Sequence, residues 1–232
     1  MATIGIIGAM QEEVAHLISK IEGATYETHV GREYVSGTLQ GVSVVVCRCG
    51  VGLVAAATCA AVMIETYGAT AVINTGVAGS LDNAINIGDI VISTASVLHD
   101  MDACALGYAP GQNPDFDAVF FEADEALKNA ALAAAETLED GVSAHLGIVA
   151  SGQMFVSSSE LKARIVSLFG ASCCEMEGAA IAQVCYMAGV PYLVIRAISD
   201  KADGSAHMDY PTFEKKAAAD CAGLVLKMLA SL

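Results

Sequence analysis

The sequence predicts an α/β fold: a single-domain three-layer sandwich in which a mixed, mostly parallel central sheet is flanked by helices. Three observations carry that expectation. Short runs of β-branched and aliphatic residues alternate with longer segments whose apolar residues recur at helical spacing. Hydrophobic residues make up 55% of the chain and charged residues 16%, a balance suited to a sheet buried on both faces. The length allows one such unit over residues 1–232, with no linker, repeat or low-complexity segment to divide it.

The elements follow in order. "TIGIIGAM" (3–10) is a short buried strand, and "QEEVAHLISKI" (11–21) places Val14, Leu17, Ile18 and Ile21 on one helical face. "REYVSGTLQ" (32–40) and "VSVVVCRC" (42–49) alternate around the turn pair Gln40 and Gly41, which predicts a hairpin. "GVGLVAAATCAAVMIETY" (50–67) is a glycine-opened helix leading into the buried strand "TAVINTG" (70–76). "VAGSLDNAINIGD" (77–89) reads as a loop, and "DIVISTASVLHD" (89–100) as a longer β-branched strand. Residues 101–117, with Pro110 and Pro114 and little periodicity, are the best candidate for a long functional loop. A helix "ADEALKNAALAAAETL" (123–138), a strand "SAHLGIVAS" (143–151) and a serine-capped helix "SSELKARIVSLF" (158–169) come next. The chain finishes with the helix "MEGAAIAQVCYMAG" (176–189), the buried strand "PYLVIRAIS" (191–199) and the helix "YPTFEKKAAADCAGLVLKML" (210–229).

Charge narrows the partners. With 26 acidic residues against 11 basic ones the formal charge is -15, which repels nucleic acid and anionic membrane surfaces and leaves a neutral or cationic small molecule as the expected ligand. No apolar run reaches membrane-spanning length and the N-terminal segment has no basic region with a cleavage site, so a cytoplasmic location is expected. The eight cysteines show no C-x-x-C spacing and no histidine pair at helical spacing, so free packing thiols are expected rather than a metal site.

In sheets of this kind ligands bind beyond the carboxyl ends of strands. That rule selects Ala9–Glu13, Asn74–Gly79, Ser151–Val156 and the pair Ser199 and Asp200. "GVGLVA" (50–55) resembles a dinucleotide fingerprint, but the next strand ends in Asn74 and Thr75 rather than in an acid, which favours a simple glycine turn. Glu12 and Glu13 open a helix, where either one stabilises the dipole or works in a site. Asp200 ends an apolar strand, where an ionised group needs a ligand or partner. Arg196, in the same strand, is the expected counter-charge for Glu175 or Glu177; a structural ion pair is the plainer reading of Glu175, and Met176 reads as core or as a ligand cover.

Seven segments, "IGIIGAMQEEV", "CGVGLVAAA", "INTGVAGSL", "HDMDACALGY", "SGQMFV", "CCEMEGAAIA" and "RAISD", occur in an order and spacing that resemble the bacterial 5'-methylthioadenosine/S-adenosylhomocysteine nucleosidases, within the nucleoside phosphorylase superfamily. The resemblance covers nearly the whole chain. It implies a nucleoside phosphorylase-like fold, no cofactor or metal, and hydrolysis of the bond between adenine and ribose. It further implies that Asp200 protonates adenine N7 with Ser199 orienting it, that Glu13 activates water, and that Glu177 holds the ribose hydroxyls. Met176 would pack on the ribose, Phe155 would stack on adenine, Val156 would meet the base edge through its main chain, and Met154, Val77 and Arg196 would complete the site. Relatives are usually homodimers, which implies that Leu106 and Pro114 cover the 5' substituent in the partner's site. Val77, Gln153 and Leu106 depart from the commoner serine, aspartate and phenylalanine. A futalosine or aminofutalosine hydrolase would use much the same residues. A phosphorylase would need a cationic cluster, and the chain has only Arg32, Arg48, Arg164 and Arg196.

Overall fold

A computed structural model describes residues 2–138 and 141–232. The chain opens with strand β1 (Thr3–Gly8) and helix α1 (Gln11–Ile18). Strands β2 (Glu22–His29), β3 (Arg32–Leu39) and β4 (Val42–Arg48) form an antiparallel meander. Gln40 and Gly41 both take positive φ (52° and 83°), which gives the β3–β4 hairpin a two-residue turn whose twist matches its strands. Strand β2 has no counterpart in the sequence-based expectation. It is almost wholly exposed, so it carries no apolar alternation; it pairs with β3, and His29 at its end meets the Tyr67 ring edge-on.

Helix α2 (Leu53–Tyr67) leads into β5 (Ala69–Ser80), followed by β6 (Ile90–Leu98), a 3-10 turn at Cys104–Leu106, and β7 (Phe121–Glu122). Then come α3 (Glu125–Ala135), β8 (Ala144–Ser151), α4 (Ser159–Phe169), β9 (Cys173–Glu175), α5 (Gly178–Ala188), β10 (Tyr192–Asp200) and α6 (Ala206–Leu229). Two of the boundaries that differ from expectation bear on the cavity described below. Strand β5 runs through Ser80 rather than stopping at Gly76, because Val77–Gly79 pair with β10 while Gly79 and Ser80 pair with β9. Helix α6 starts at Ala206, ahead of the expected Tyr210, because the Ser205 carbonyl already accepts the N–H groups of Met208 and Asp209; Pro211 thus lies inside the helix.

The sheet follows the order β10-β6-β8-β9-β5-β1-β4-β3-β2, and an additional β5–β10 pairing closes its first five strands into a ring. Its centre, β4–β1–β5–β10, is parallel, which brings the carboxyl ends of β1, β5 and β10 to one edge. Near that edge the β5–β10 register slips: Ile198 faces Ala78 and Asp200 faces Gly79, so β10 spends two residues where β5 spends one. Helices α1 and α3 pack on α6, and α2 packs on α5. No helix among the described residues is long and apolar enough to cross a membrane.

Candidate active site

A cavity of about 430 Å³ opens at the shared edge, lined by Glu13, Val77, Phe155, Met176, Glu177, Arg196, Ser199 and Asp200 among others. Glu13 lies in the first turn of α1 and is buried, whereas Glu12 beside it is exposed. Its Oε2 accepts the N–H groups of Ala9 (2.6 Å) and Met10 (2.9 Å), and its Oε1 accepts that of Val77 (3.1 Å). Arg196 Nη1 stands 4.0 Å away. Burial raises the Glu13 pKa, and Arg196 and the three N–H groups oppose the rise. Gly76 permits this arrangement, since a Cβ there would sit 2.3 Å from Glu13 Oε1 and 2.7 Å from Arg196 Nη1.

Glu177 is the N-cap residue of α5. Its Oε1 accepts the Gly52 N–H at 2.8 Å, and its Oε2 accepts from Arg196 Nη2 at 3.4 Å. Burial pushes its pKa up to about 7 against the pull of Arg196. The glycines of "GVGLVA" therefore make a tight turn that delivers a backbone amide to a carboxylate. Arg196, fully buried, is shared: it pairs with Glu175 and with the Asn74 side-chain oxygen, and donates to the Val77 carbonyl at 3.1 Å. Glu175 thus has its expected ion pair, and Asn74 is an interior residue of β5 rather than a strand end.

Asp200 closes β10. Its Oδ1 accepts the Ala202 N–H at 2.8 Å and its Oδ2 the Ser199 hydroxyl at 2.9 Å. Among the described residues it forms no ion pair. Burial raises its pKa, and the nearby charges of Asp209 and Asp203 add to the rise. One cavity therefore joins a carboxylate held by N–H groups and a guanidinium, a second shared with that guanidinium, and a carboxyl group that forms no ion pair among the described residues.

The profile of the phosphorylase superfamily matches residues 3–230. A 5'-methylthioadenosine/S-adenosylhomocysteine nucleosidase from Shewanella putrefaciens is 43% identical over 230 residues, covering 99% of both chains. A crystal structure of the nucleosidase of that name from Neisseria meningitidis, in complex with methylthio-immucillin-A, superposes with a TM-score of 0.96 at 39% identity over the full length of both chains. The chain belongs to this nucleosidase family. A futalosine hydrolase mutant of Helicobacter pylori is also similar, with a TM-score of 0.94 at 34% identity over both full chains.

The remaining positions expected of this nucleosidase-family site divide into two groups. Met154 and Val156 line a small recess that adjoins the cavity and shares Phe155 and Met176 with it. Phe155, 47% exposed, meets the Tyr210 ring edge-on at 5.5 Å. Leu106, 76% exposed, and the exposed Pro114 do not line the cavity of their own chain. Sequence reasoning did not select Val51, His207, Tyr210 and Pro211, which all line the cavity. The last three ride on the early start of α6, and an aromatic residue ten positions beyond Asp200 was the available signal. Among the described residues no cluster of His, Cys, Asp and Glu side chains is arranged to hold a metal ion.

Proposed function

We propose that the chain hydrolyses the N-glycosidic bond of 5'-methylthioadenosine and S-adenosylhomocysteine, and also of 5'-deoxyadenosine, giving adenine and the 5'-substituted ribose. The observation that carries this reading is that, of the four buried acidic residues lining one cavity, Glu175 is taken up by Arg196 and helix N–H groups while Glu13, Glu177 and Asp200 have three different partner sets. Asp200 gives its proton to adenine N7. Burial without an ion pair favours its protonated form, the Ser199 hydroxyl fixes its orientation, and protonation lets adenine leave as a neutral base. Glu13, whose anion is supported by N–H groups and Arg196, orients the attacking water and takes its proton. Glu177 accepts hydrogen bonds from the ribose hydroxyls, and its charge stabilises the oxocarbenium-like transition state.

Phe155 stacks on the base, Val156 meets the base edge, Met176 packs on the sugar, and Met154 and Val77 complete the walls. No cofactor takes part. The active unit is a single domain within a cytoplasmic homodimer, in which Leu106 and Pro114 of one copy cover the 5' thioether bound by the other; their exposure and apolar character support that placement. The likeness to a futalosine hydrolase supports futalosine or aminofutalosine hydrolysis as the alternative reading. Phosphorolysis is disfavoured because Arg196 is the sole arginine among the residues lining the cavity, and carboxylates already engage it. Incubation with methylthioadenosine, with and without phosphate, tests the reading. Adenine release independent of phosphate is expected, and a ribose 1-phosphate product would overturn it. Competition among methylthioadenosine, adenosylhomocysteine, deoxyadenosine and aminofutalosine then ranks the substrates.

A further inference from the structure

A short polar N-cap residue, Asp, Asn, Ser or Thr, ordinarily turns its own side chain onto the free N–H groups of its helix. Glu177 occupies that position at α5 but makes no such bond; its two oxygens go to Gly52 and Arg196. Other residues meet the exposed N–H groups. Glu175, two residues earlier, accepts the Glu177 N–H at 3.1 Å and the Gly178 N–H at 2.8 Å and 3.0 Å through its two oxygens. Ser151, at the end of β8, accepts the Ala179 N–H at 2.7 Å and donates its hydroxyl to Glu175. Arg196 binds the same Glu175 carboxylate from within the core. Every member of this group is buried, so each N–H left without an acceptor would be strongly disfavoured.

We infer that Glu175 and Ser151 are positioning residues for sugar recognition: by capping α5 in place of Glu177, they keep the Glu177 carboxylate turned into the cavity. The inference rests on the proposed role of Glu177 as the ribose clamp. Without the Glu175 carboxylate, the nearest acid able to cap the helix is Glu177 itself, and capping would withdraw it from the sugar. Glu175 also takes one share of Arg196, which keeps the guanidinium from drawing Glu177 wholly toward the core. A glutamate that caps and a glutamate that binds, two residues apart, divide the work that one N-cap side chain cannot do at once.

The test compares kcat/KM for methylthioadenosine and for its 2'-deoxy analogue in the same preparation, so the ratio does not depend on how much protein is folded. The wild type should favour the ribo substrate by about tenfold to a hundredfold, the range for a hydrogen bond to a charged group. Glu175→Leu should cut that ratio by about tenfold, and Glu175→Gln, which keeps an acceptor oxygen for the helix, should restore part of it. Ser151→Ala should lower the ratio in the same direction by a smaller factor, and it carries the test if Glu175→Leu does not fold. A ratio that stays at the wild-type value while both rates fall together would reduce the pair to structural residues and overturn the inference. Glu177→Ala separates the two levels. If it flattens the ratio and the Glu175 and Ser151 variants do not, the inference alone fails. If the wild type shows no preference for the 2'-hydroxyl, the clamp reading fails and takes the inference with it.

Discussion

Glu13 and Asp200 face one cavity from the carboxyl ends of β1 and β10, the two strands that pair with β5 in parallel, and burial raises the pKa of both carboxyl groups. Their surroundings differ in sign. Three N–H groups and a guanidinium surround Glu13, whereas Asp200 has one N–H and one hydroxyl and stands under the influence of Asp203 and Asp209. Burial pushes both groups toward the neutral form, and the neighbours decide which of them is best able to stay ionised. The comparison teaches that backbone amides and a single arginine can give two like side chains at one cavity opposite electrostatic surroundings, which is what the proposed base and acid roles require.

The largest effect expected is that of Asp200→Asn, which removes the acidic end: adenine release should fall by about 10³-fold to 10⁴-fold, while adenine binding measured by calorimetry persists. The pH dependence sharpens the same point. Wild-type kcat should decline as pH rises through the raised Asp200 pKa, because the donor must hold its proton, and as pH falls through the raised Glu13 pKa, because the base must be ionised. Residual turnover in Asp200→Asn should lack the alkaline decline; near-normal turnover in that variant would break the comparison.

Glu13→Gln should cost about 10²-fold to 10³-fold in kcat, and Glu12→Gln should leave the rate nearly unchanged. A reversal of those two results would place the base one residue earlier on α1.

Glu177 tests the shared middle of the cavity through stability. Its folded-state pKa lies near 7, above the ordinary 4.5, so its contribution is fully present below pH 4.5 and is lost as pH rises through 7. Glu177→Gln should therefore melt higher than the wild type at pH 8, by an amount on the order of 3 kcal/mol, and the difference should shrink toward pH 5. Scanning calorimetry without ligand measures it, and a pH-independent difference would show that burial of this charge is not what limits stability.

Val77→Ser is expected to have the smallest effect. The Val77 backbone N–H already holds Glu13, so an added hydroxyl should change kcat/KM by less than about tenfold, the worth of one more neutral hydrogen bond. A larger gain would mean that the amides alone leave the water poorly placed.

Much of this site was legible in the sequence because its residues sit where chain pattern changes character. Asp200 interrupts an apolar strand and Glu13 follows one, and both line the cavity at the predicted edge. What remained hidden depends on pairing between distant segments. The Gly52 amide gains meaning only when it meets Glu177, 125 residues away. Tyr210 and His207 enter through a helix that begins before its proline, against the preference that set the expected start. Val77–Ser80 look like loop residues until β9 and β10 pair with them, and β2 has no buried face for a pattern to reveal. Leu106 and Pro114 lie away from the cavity of their own chain, and their expected role depends on a second copy.

The extra residue that β10 carries near its end bears on how such a site is built or transplanted. In a regular strand consecutive side chains point to opposite faces, so a hydroxyl and a carboxylate side by side in sequence would be separated by the sheet. Here the slip against Gly79 brings Ser199 and Asp200 to the same cavity, bonded to each other. The Asp200 end of the cavity is therefore written in the length of a strand as much as in the identity of two residues. Grafting Ser–Asp onto an unbulged strand of a related scaffold should not recreate the pair, and deleting one residue from this strand should remove it without changing either side chain's chemistry.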